Sequence, residues 1–558
     1  MGQGIGKLEA AGTEMTGAIS PEFRQLTTLP ELIRQHLPAR AGQVAFIEGD
    51  RQISYAMFDG LCNAMVDWLL GQGIGPGDRV AVLMVNRIEW LTLLFATARI
   101  GACLVPVNTR YRAPEVQSLL AQSEARLVVV QEKFRMIDFP ALLDEIDPMA
   151  VPALEAVAIL DGDTKPGRCL IGKAVRFGTC LSLACANHAD YSAPDALAAL
   201  FSTSGTTSGP KLVMHTQQTL ASHSCRAAAA YGLDQAGACL LAALPFGGVF
   251  GLNSTLAAIA AGAPVIIMET FDGADAAHLM RQHQVTHTFC SDEMYMRIFQ
   301  CAPGHQPFPS ARLLGFAAFH PGAAEFARTA WEREIPLFGL YGSSELQALF
   351  AVQSPTLAID QRIEGGGFPA AGAQARIRVR DVENDTLLAA GINGELEICA
   401  PTSFIGYFNN PAATNAAVDS EGFFRTGDIG RLRPDGSFVY ETRRGDAMRL
   451  SGYLVNPGEI EDALKAIPEI ADVQVVPLEL AGEVRPVAFV IAEPGSAPSE
   501  ALVIAAAMQR MARFKVPARI WFVSSFPTTE STNGTKIQRS RLRAMAQENQ
   551  LRERSGTG

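Results

Sequence analysis

The chain has 558 residues, 48% apolar and 18% charged, so it exceeds a single hydrophobic core and leaves little room for extended disorder. Its 46 basic and 57 acidic residues give a net charge of −11 with no Lys/Arg run, which removes the electrostatic case for nucleic-acid binding. Ten scattered cysteines form no CxxC pair and no cluster with histidine, which argues against a cysteine-built metal site and fits reduced thiols in a cytoplasmic protein.

The opening MGQGIGKLEAAGTEMTGAIS lacks a basic region followed by an apolar core, so residues 1–20 read as a loose leader and not a signal peptide. From Pro30 the pattern is α/β: a helix around Ala56–Gln72, a strand Arg79–Met84, a helix Glu89–Ile100 and a strand Leu104–Val107. Leu127–Val130, Val157–Leu160 and Ala196–Phe201 read as further short buried strands. Strands alternating with helices predict a largely parallel sheet, with ligands where loops leave the carboxyl ends of strands.

Gln235 to Met268 carries no charge and is long enough for a membrane span. Its two prolines, Asn253, Ser254 and five glycines argue instead for strand, loop, helix and strand inside a large core. After about Ala373 short strands take over in ARIRVRD, GELEICA and FRTGDIGRLRPDGSFVYE, with a hairpin turn at Pro434–Gly436. From Gly452 a small module follows: a helix Pro457–Ala466, strands Asp472–Pro477 and Pro486–Ala492, and a helix near Ala501–Arg513. The expected division is a large N-terminal domain over 21–442, a hinge over 443–447, a C-terminal domain over 448–546 and a loose tail over 547–558.

Leu200 to His215 reads LFSTSGTTSGPKLVMH, with six hydroxyl side chains, two glycines and a lysine after a short apolar run. A surface loop has that composition, and so does a phosphate cradle in which inward amides are joined by hydroxyls. It is not a Walker loop, because three residues separate Gly205 from Gly209 and Leu212 follows Lys211. Four more fragments accompany it: YGSSE at Tyr341–Glu345, FRTGD at Phe424–Asp428, RRGDAMRLSGYLVNPGEIE from Arg443, and NGTKIQRSRLR from Asn533. Alone, each has a bland reading: a helix N-cap, a plain turn, a helix start and a basic tail.

In this order and at these separations the fragments resemble the adenylate-forming superfamily of acyl-CoA ligases, luciferases and peptide-synthetase adenylation domains, over Leu29 to Met545. The resemblance implies an α/β fold, with a large N-terminal domain of stacked α/β subdomains plus a β-rich subdomain. A small mobile α+β C-terminal domain completes it. It implies ATP, Mg²⁺ and CoA as cofactors, and a small-molecule carboxylic acid as substrate. Ser202, Thr203, Ser204, Gly205, Thr206, Thr207 and Lys211 would wrap the β- and γ-phosphates. Tyr341 and Gly342 would lie against the adenine, Ser344 would contact the α-phosphate, and Glu345 with Thr206 would hold Mg²⁺. Asp428 would accept both ribose hydroxyls and Arg443 would support the same sugar.

Lys536 would drive adenylation as a cation between substrate carboxylate and phosphate. Ser451, Gly452 and Tyr453 would then line the pantetheine path after rotation about a hinge at Gly445, with Asp446 as the rival pivot. Phe246, Gly247 and Gly248 would sit at the mouth of the acyl pocket. Relatives often carry His or an aromatic residue where this chain has Gly248, which points to an aryl or medium-length acyl substrate in place of acetate. His215 and His223 read as structural, and His320 falls where the family has an adenine-wall segment. The resulting expectation is an AMP-forming acid–CoA ligase without a membrane span, with a homodimer left open. A carrier-protein-loading adenylation enzyme and a non-catalytic nucleotide-binding protein are the alternatives.

Overall fold

The computed structural model describes residues 26–135, 137–160, 174–176, 190–203, 211–317, 323–444, 448–450, 453–480, 483–511, 513–531 and 534–554. The short apolar runs form strands, as expected of segments buried on both faces. LVVVQ at Leu127–Gln131 is buried at every position. Among the described residues it belongs to a seven-stranded sheet. The order is Leu212–Thr216, Leu197–Ser202, Cys103–Pro106, Arg79–Leu83, Leu127–Gln131, Ala156–Leu160 and Ala174–Arg176. All neighbours are parallel except Leu197–Ser202 and Leu212–Thr216, which form an antiparallel hairpin at one edge.

A second, larger sheet is parallel through Leu240–Ala242, Val265–Ile267, His287–Ser291, Leu313–Ala317 and Leu337–Ser343. It turns antiparallel from Gln347–Val352 onward and runs into Arg376–Arg380, Gly394–Cys399, Phe424–Leu432 and Phe438–Arg443. The change of texture after Ala373 therefore marks a β-rich continuation of the same sheet.

Helices fill the space between. Ile88–Arg99 packs on the strands Cys103–Pro106 and Leu197–Ser202, and all twelve of its residues are buried. Val249–Ala261 packs on Leu240–Ala242, His287–Ser291 and Gln347–Val352, and is buried from Val249 to Ala260. Gln217–Ala230, N-capped by the Thr216 hydroxyl, touches both groups. This placement explains the uncharged stretch 235–268: a helix with no solvent face needs no polar stripe. No described helix is long and apolar enough to cross a membrane. Gly251 is required in that helix, because an added Cβ would lie 2.3 Å from the Pro245 carbonyl oxygen.

The C-terminal unit is a hairpin of Ile470–Leu480 and Glu483–Ala492 with Ile520–Phe522 parallel to it. Side chains alternate across the sheet, so Val473 and Val475 join one core and Val476 and Leu478 another. The first core is closed by the helices Pro457–Lys465 and Glu500–Met508, the second by Arg539–Arg554. Two expectations are corrected. The helix placed near Ala501–Arg513 ends at Met508, and Arg513–Lys515 is a separate 3₁₀ turn leading Val516 into the core. The tail placed at 547–558 is helical as far as Arg554, and Gln550 Nε2 donates to Glu479 O at 3.0 Å. The leader 1–20 lies outside the described residues.

Candidate active site

Side-chain contacts link segments distant in sequence: Tyr341 reaches Asp428, Asp428 faces Arg443, and Tyr407 touches both Glu345 and Lys211. The hydroxyl-rich loop springs from the edge hairpin: Ser202 pairs with Leu212, Thr203 N–H donates to Lys211 O at 2.9 Å, and Lys211 N–H donates to Thr203 Oγ1 at 3.2 Å. Tyr111 OH is 3.0 Å from Ser202 Oγ. The loop is thus held closed at its base by backbone and side chain together. Ser204, Gly205, Thr206 and Thr207 lie outside the described residues.

YGSSE is the turn of an antiparallel hairpin between Leu337–Ser343 and Gln347–Val352, so the helix-cap reading of it fails. An added Cβ on Gly342 would lie 2.6 Å from the Ala348 Cα, which accounts for glycine there. Gln347 closes the turn at φ 68°, a region that costs a non-glycine residue energy. Its fully buried amide offsets that cost: Nε2 donates to Thr219 O at 2.7 Å and to Thr402 O at 2.8 Å, and Oε1 accepts from Asn253 Nδ2 at 3.0 Å. Asn253 Oδ1 in turn accepts from Ala348 N–H at 2.9 Å. This network fixes the turn that carries Ser344 and Glu345.

His215 and His223 join the same scaffold. His215 Nε2 donates to Ser344 O at 2.8 Å and His223 Nε2 donates to Ala348 O at 2.7 Å, both from buried rings. Burial lowers each histidine to about 4, which keeps both neutral at physiological pH. Between the ordinary histidine value and about pH 4 the unfolded chain binds more protons than the folded one. Stability should therefore fall as pH drops through that window, by up to about 3 kcal/mol per histidine. Urea midpoints measured across the window, with His223→Gln flattening the curve, check this expectation.

Asp428 sits opposite Arg443 in the ladder between Phe424–Leu432 and Phe438–Arg443. Gly427 reaches φ 69° inside the strand Phe424–Leu432, where the ladder to Gly394–Cys399 shifts register, a conformation a side chain would resist. The Asp428 carboxylate is only 3% exposed. Oδ2 accepts from Tyr341 OH at 2.5 Å, and Oδ1 lies 3.0 Å from Arg443 Nη1. That guanidinium nitrogen directs its hydrogen bond to Thr426 O at 3.0 Å instead, so Oδ1 is buried without a hydrogen-bond partner among the described residues. Burial pushes the Asp428 carboxyl up while the Arg443 charge opposes the shift. The Tyr341 phenol is raised well above its ordinary value by burial and then by Asp428, so it stays a donor. An orphaned carboxylate oxygen beside a fixed cation is the acceptor that a diol would complete.

Tyr341 is enclosed edge-on by Phe438, at 5.2 Å between centroids, and lies 5.7 Å from Tyr440. Glu345 is half-buried; its Oε1 accepts from Tyr407 OH at 2.9 Å, and Oε2 takes no hydrogen bond among the described residues. A free hard carboxylate oxygen suits Mg²⁺. Among the described residues no group of three His, Cys, Asp or Glu is gathered to hold a metal, so an ion here would draw its other ligands from phosphate and water.

The remaining expected residues are less connected. Phe246 is fully buried against Trp90, at 5.7 Å between centroids, and so lines no open pocket in this state. Gly248 precedes the buried helix, and a Cβ added at Gly247 would lie 3.5 Å from Val107 O, an ordinary contact. Lys536 lies on the strand Gly534–Ile537, opposite Thr529. Tyr453 begins the short strand Tyr453–Val455. His320, Gly445, Asp446, Ser451 and Gly452 lie outside the described residues.

Several residues that matter here carried no signal in the sequence. Asn86 clamps the PFGG segment from both ends of its amide, Nδ2 to Leu244 O at 2.8 Å and Oδ1 from Phe246 N–H at 2.7 Å. Glu395 takes Gly427 N–H at 3.3 Å and Arg444 Nη1 at 2.6 Å. Glu461, in the GEIE fragment, is 1% exposed and pairs with Arg539 at 2.8 Å, while Arg539 Nη1 also donates to Val475 O. Tyr407, in GYFNNP, lies outside the fragments singled out in the sequence.

Known proteins resemble the chain over most of its length. Over 522 residues the chain is 28% identical to the 2-succinylbenzoate–CoA ligase of Geobacillus kaustophilus, covering 93% of this chain and 98% of that protein. It is 28% identical to the indoleacetate–CoA ligase of Aromatoleum aromaticum, covering 90% and 95%. The crystal structure of the anthranilate CoA ligase AuaEII with anthranoyl-AMP shares the fold at a TM-score of 0.80 and 21% identity, covering 95% and 99%. The AMP-binding enzyme profile matches residues 33–408 and the AMP-binding enzyme C-terminal domain profile matches 459–533. The chain belongs to the AMP-binding enzyme family.

Proposed function

We propose that the chain is an AMP-forming acid–CoA ligase that adenylates an aryl or medium-length carboxylic acid and passes the acyl group to CoA. The observation that carries this reading is Asp428, whose buried Oδ1 lacks a donor next to Arg443 and Tyr341. A ribose placed there sets its phosphates toward the turn of Ser344 and Glu345 and toward the loop based at Ser202 and Lys211. The acid carboxylate attacks the α-phosphorus and pyrophosphate leaves; the CoA thiol then attacks the acyl carbon of the acyl-adenylate, the thioester forms and AMP leaves. Lys536 offsets the negative charge gathering between the two anions. Mg²⁺, held by Glu345 and Thr206, would supply charge neutralisation to the departing pyrophosphate. Ser451, Gly452 and Tyr453 form the thiol path once the C-terminal unit turns about Gly445 or Asp446. The reaction's need for ATP and CoA makes the cytoplasm its compartment.

The acid class rests on Gly248, which brings no side chain to the pocket mouth, and on relatives named for 2-succinylbenzoate and indoleacetate. The test is pyrophosphate release over acetate, octanoate, benzoate and a hydroxycinnamate, with and without CoA. Turnover on the larger acids should exceed that on acetate by about tenfold or more, the range a few methylenes provide in an apolar pocket. Acetate as the best substrate rejects the class, and no release with any acid rejects the activity.

A further inference from the structure

Lys211 and Glu345 come from different elements, and one side chain touches both. Tyr407 OH donates to Glu345 Oε1 at 2.9 Å, and Lys211 Nζ stands 4.8 Å from the centroid of the same ring. The ring has little freedom to move. Tyr407 is 5% exposed, meets Phe404 at 5.0 Å between centroids, forms a bridge with Val213, and its N–H donates to Thr414 Oγ1 at 2.9 Å. Phe404 N–H also donates to Glu345 O at 2.7 Å, so the tyrosine and its neighbour hold both the backbone and the side chain of that glutamate.

The electrostatic consequence is specific. Were the lysine and the glutamate to pair directly, each would spend its charge on the other. A phenol between them satisfies both differently: the hydroxyl takes one carboxylate oxygen, and the ring face attracts the ammonium without neutralising it. Both charges stay available to a third party.

Resting on the ligase reading above, we propose that Tyr407 is a positioning residue for nucleotide binding and adenylation. Its hydroxyl aims Glu345 at the metal of the incoming nucleotide, and its ring keeps Lys211 apart from that carboxylate and directed at phosphate.

The test uses the full chain, Tyr407→Phe and Tyr407→Leu, with calorimetric titration of ATP in EDTA and in excess Mg²⁺. Tyr407→Phe keeps the ring and its packing, so folding is preserved. It should leave metal-free ATP affinity unchanged and shrink the affinity gained on adding Mg²⁺ by about tenfold, the scale of one hydrogen bond to a charged group. Tyr407→Leu should in addition weaken metal-free ATP binding by about fivefold, the scale of a lost cation–π contact and a Lys211–Glu345 collapse. The KM for the acid should stay at the parent value in Tyr407→Phe, which a general structural fault would not allow. A phenylalanine variant with the parent's full Mg²⁺ gain, or a leucine variant with parent metal-free affinity, overturns the proposal. A parent chain that binds ATP but releases no pyrophosphate with any acid defeats the ligase reading, while the titrations still decide the role of Tyr407.

Discussion

Lys536→Ala is expected to slow pyrophosphate release from acid and ATP by about 100- to 1,000-fold, the scale of one lost electrostatic stabiliser. Thioester formation from supplied acyl-adenylate should stay within about threefold of the parent chain, since that step forms no new bond to the α-phosphorus through a second anion. The substitution removes charge without removing support. The strand Gly534–Ile537 is paired along its length to Thr528–Ser531, and Arg539 just beyond it is bound to Glu461 and Val475. The backbone beneath residue 536 is therefore anchored independently of the lysine. Parallel assays of pyrophosphate release and of CoA thioester from synthetic acyl-adenylate separate the two steps. Equal loss in both contradicts a role confined to the first.

Asp428→Asn should lower kcat/KM for ATP by about 100-fold, equivalent to about 2.7 kcal/mol, with the KM for the acid unchanged. The aspartate now offers only acceptors, to the Tyr341 hydroxyl on one side and toward Arg443 on the other. An amide nitrogen turned to Arg443 sets donor against donor, and turned to the Tyr341 hydroxyl or the sugar it replaces a charged acceptor with a neutral donor, so either way the carboxylate's grip on the sugar is lost. Arg443 is 56% exposed on its side chain and can recover in water what it loses, which keeps the effect local to the nucleotide. Initial-rate kinetics at saturating acid give the number. An ATP KM equal to that of the parent chain would show that the carboxylate does not meet the sugar.

Elements whose burial is two-sided were legible in the sequence. Val80 to Leu83, Leu127 to Val130 and Val157 to Leu160 are strands because continuous apolar runs of that length have few other uses. The family assignment that the quoted fragments suggested is borne out by the profile matches. They carried no geometry. Tyr407 meets Glu345 across 62 residues and His215 meets Ser344 across 129, and no periodicity encodes such distances. Gln347 is the clearest case of tertiary override: a glutamine at φ 68° contradicts local preference and is tolerated because three buried hydrogen bonds require its amide there. Likewise the YGSSE hydroxyls looked like a helix cap because caps and tight hairpin turns draw on the same residues.

The ladder that faces Asp428 with Arg443 ends one residue later, where Arg444 N–H still reaches Gly427 O at 2.7 Å. Its frame is consequently delicate in one place and forgiving in another. An extra residue between Phe438 and Arg443 would flip every later side chain to the opposite face, turning the guanidinium away from the carboxylate and disturbing the run-in to the C-terminal unit at once. The same insertion inside the Pro434–Gly436 turn, between the paired Leu432 and Phe438, would loop out and leave both intact. One added amino acid would thus be silent or ruinous according to a shift of a few positions.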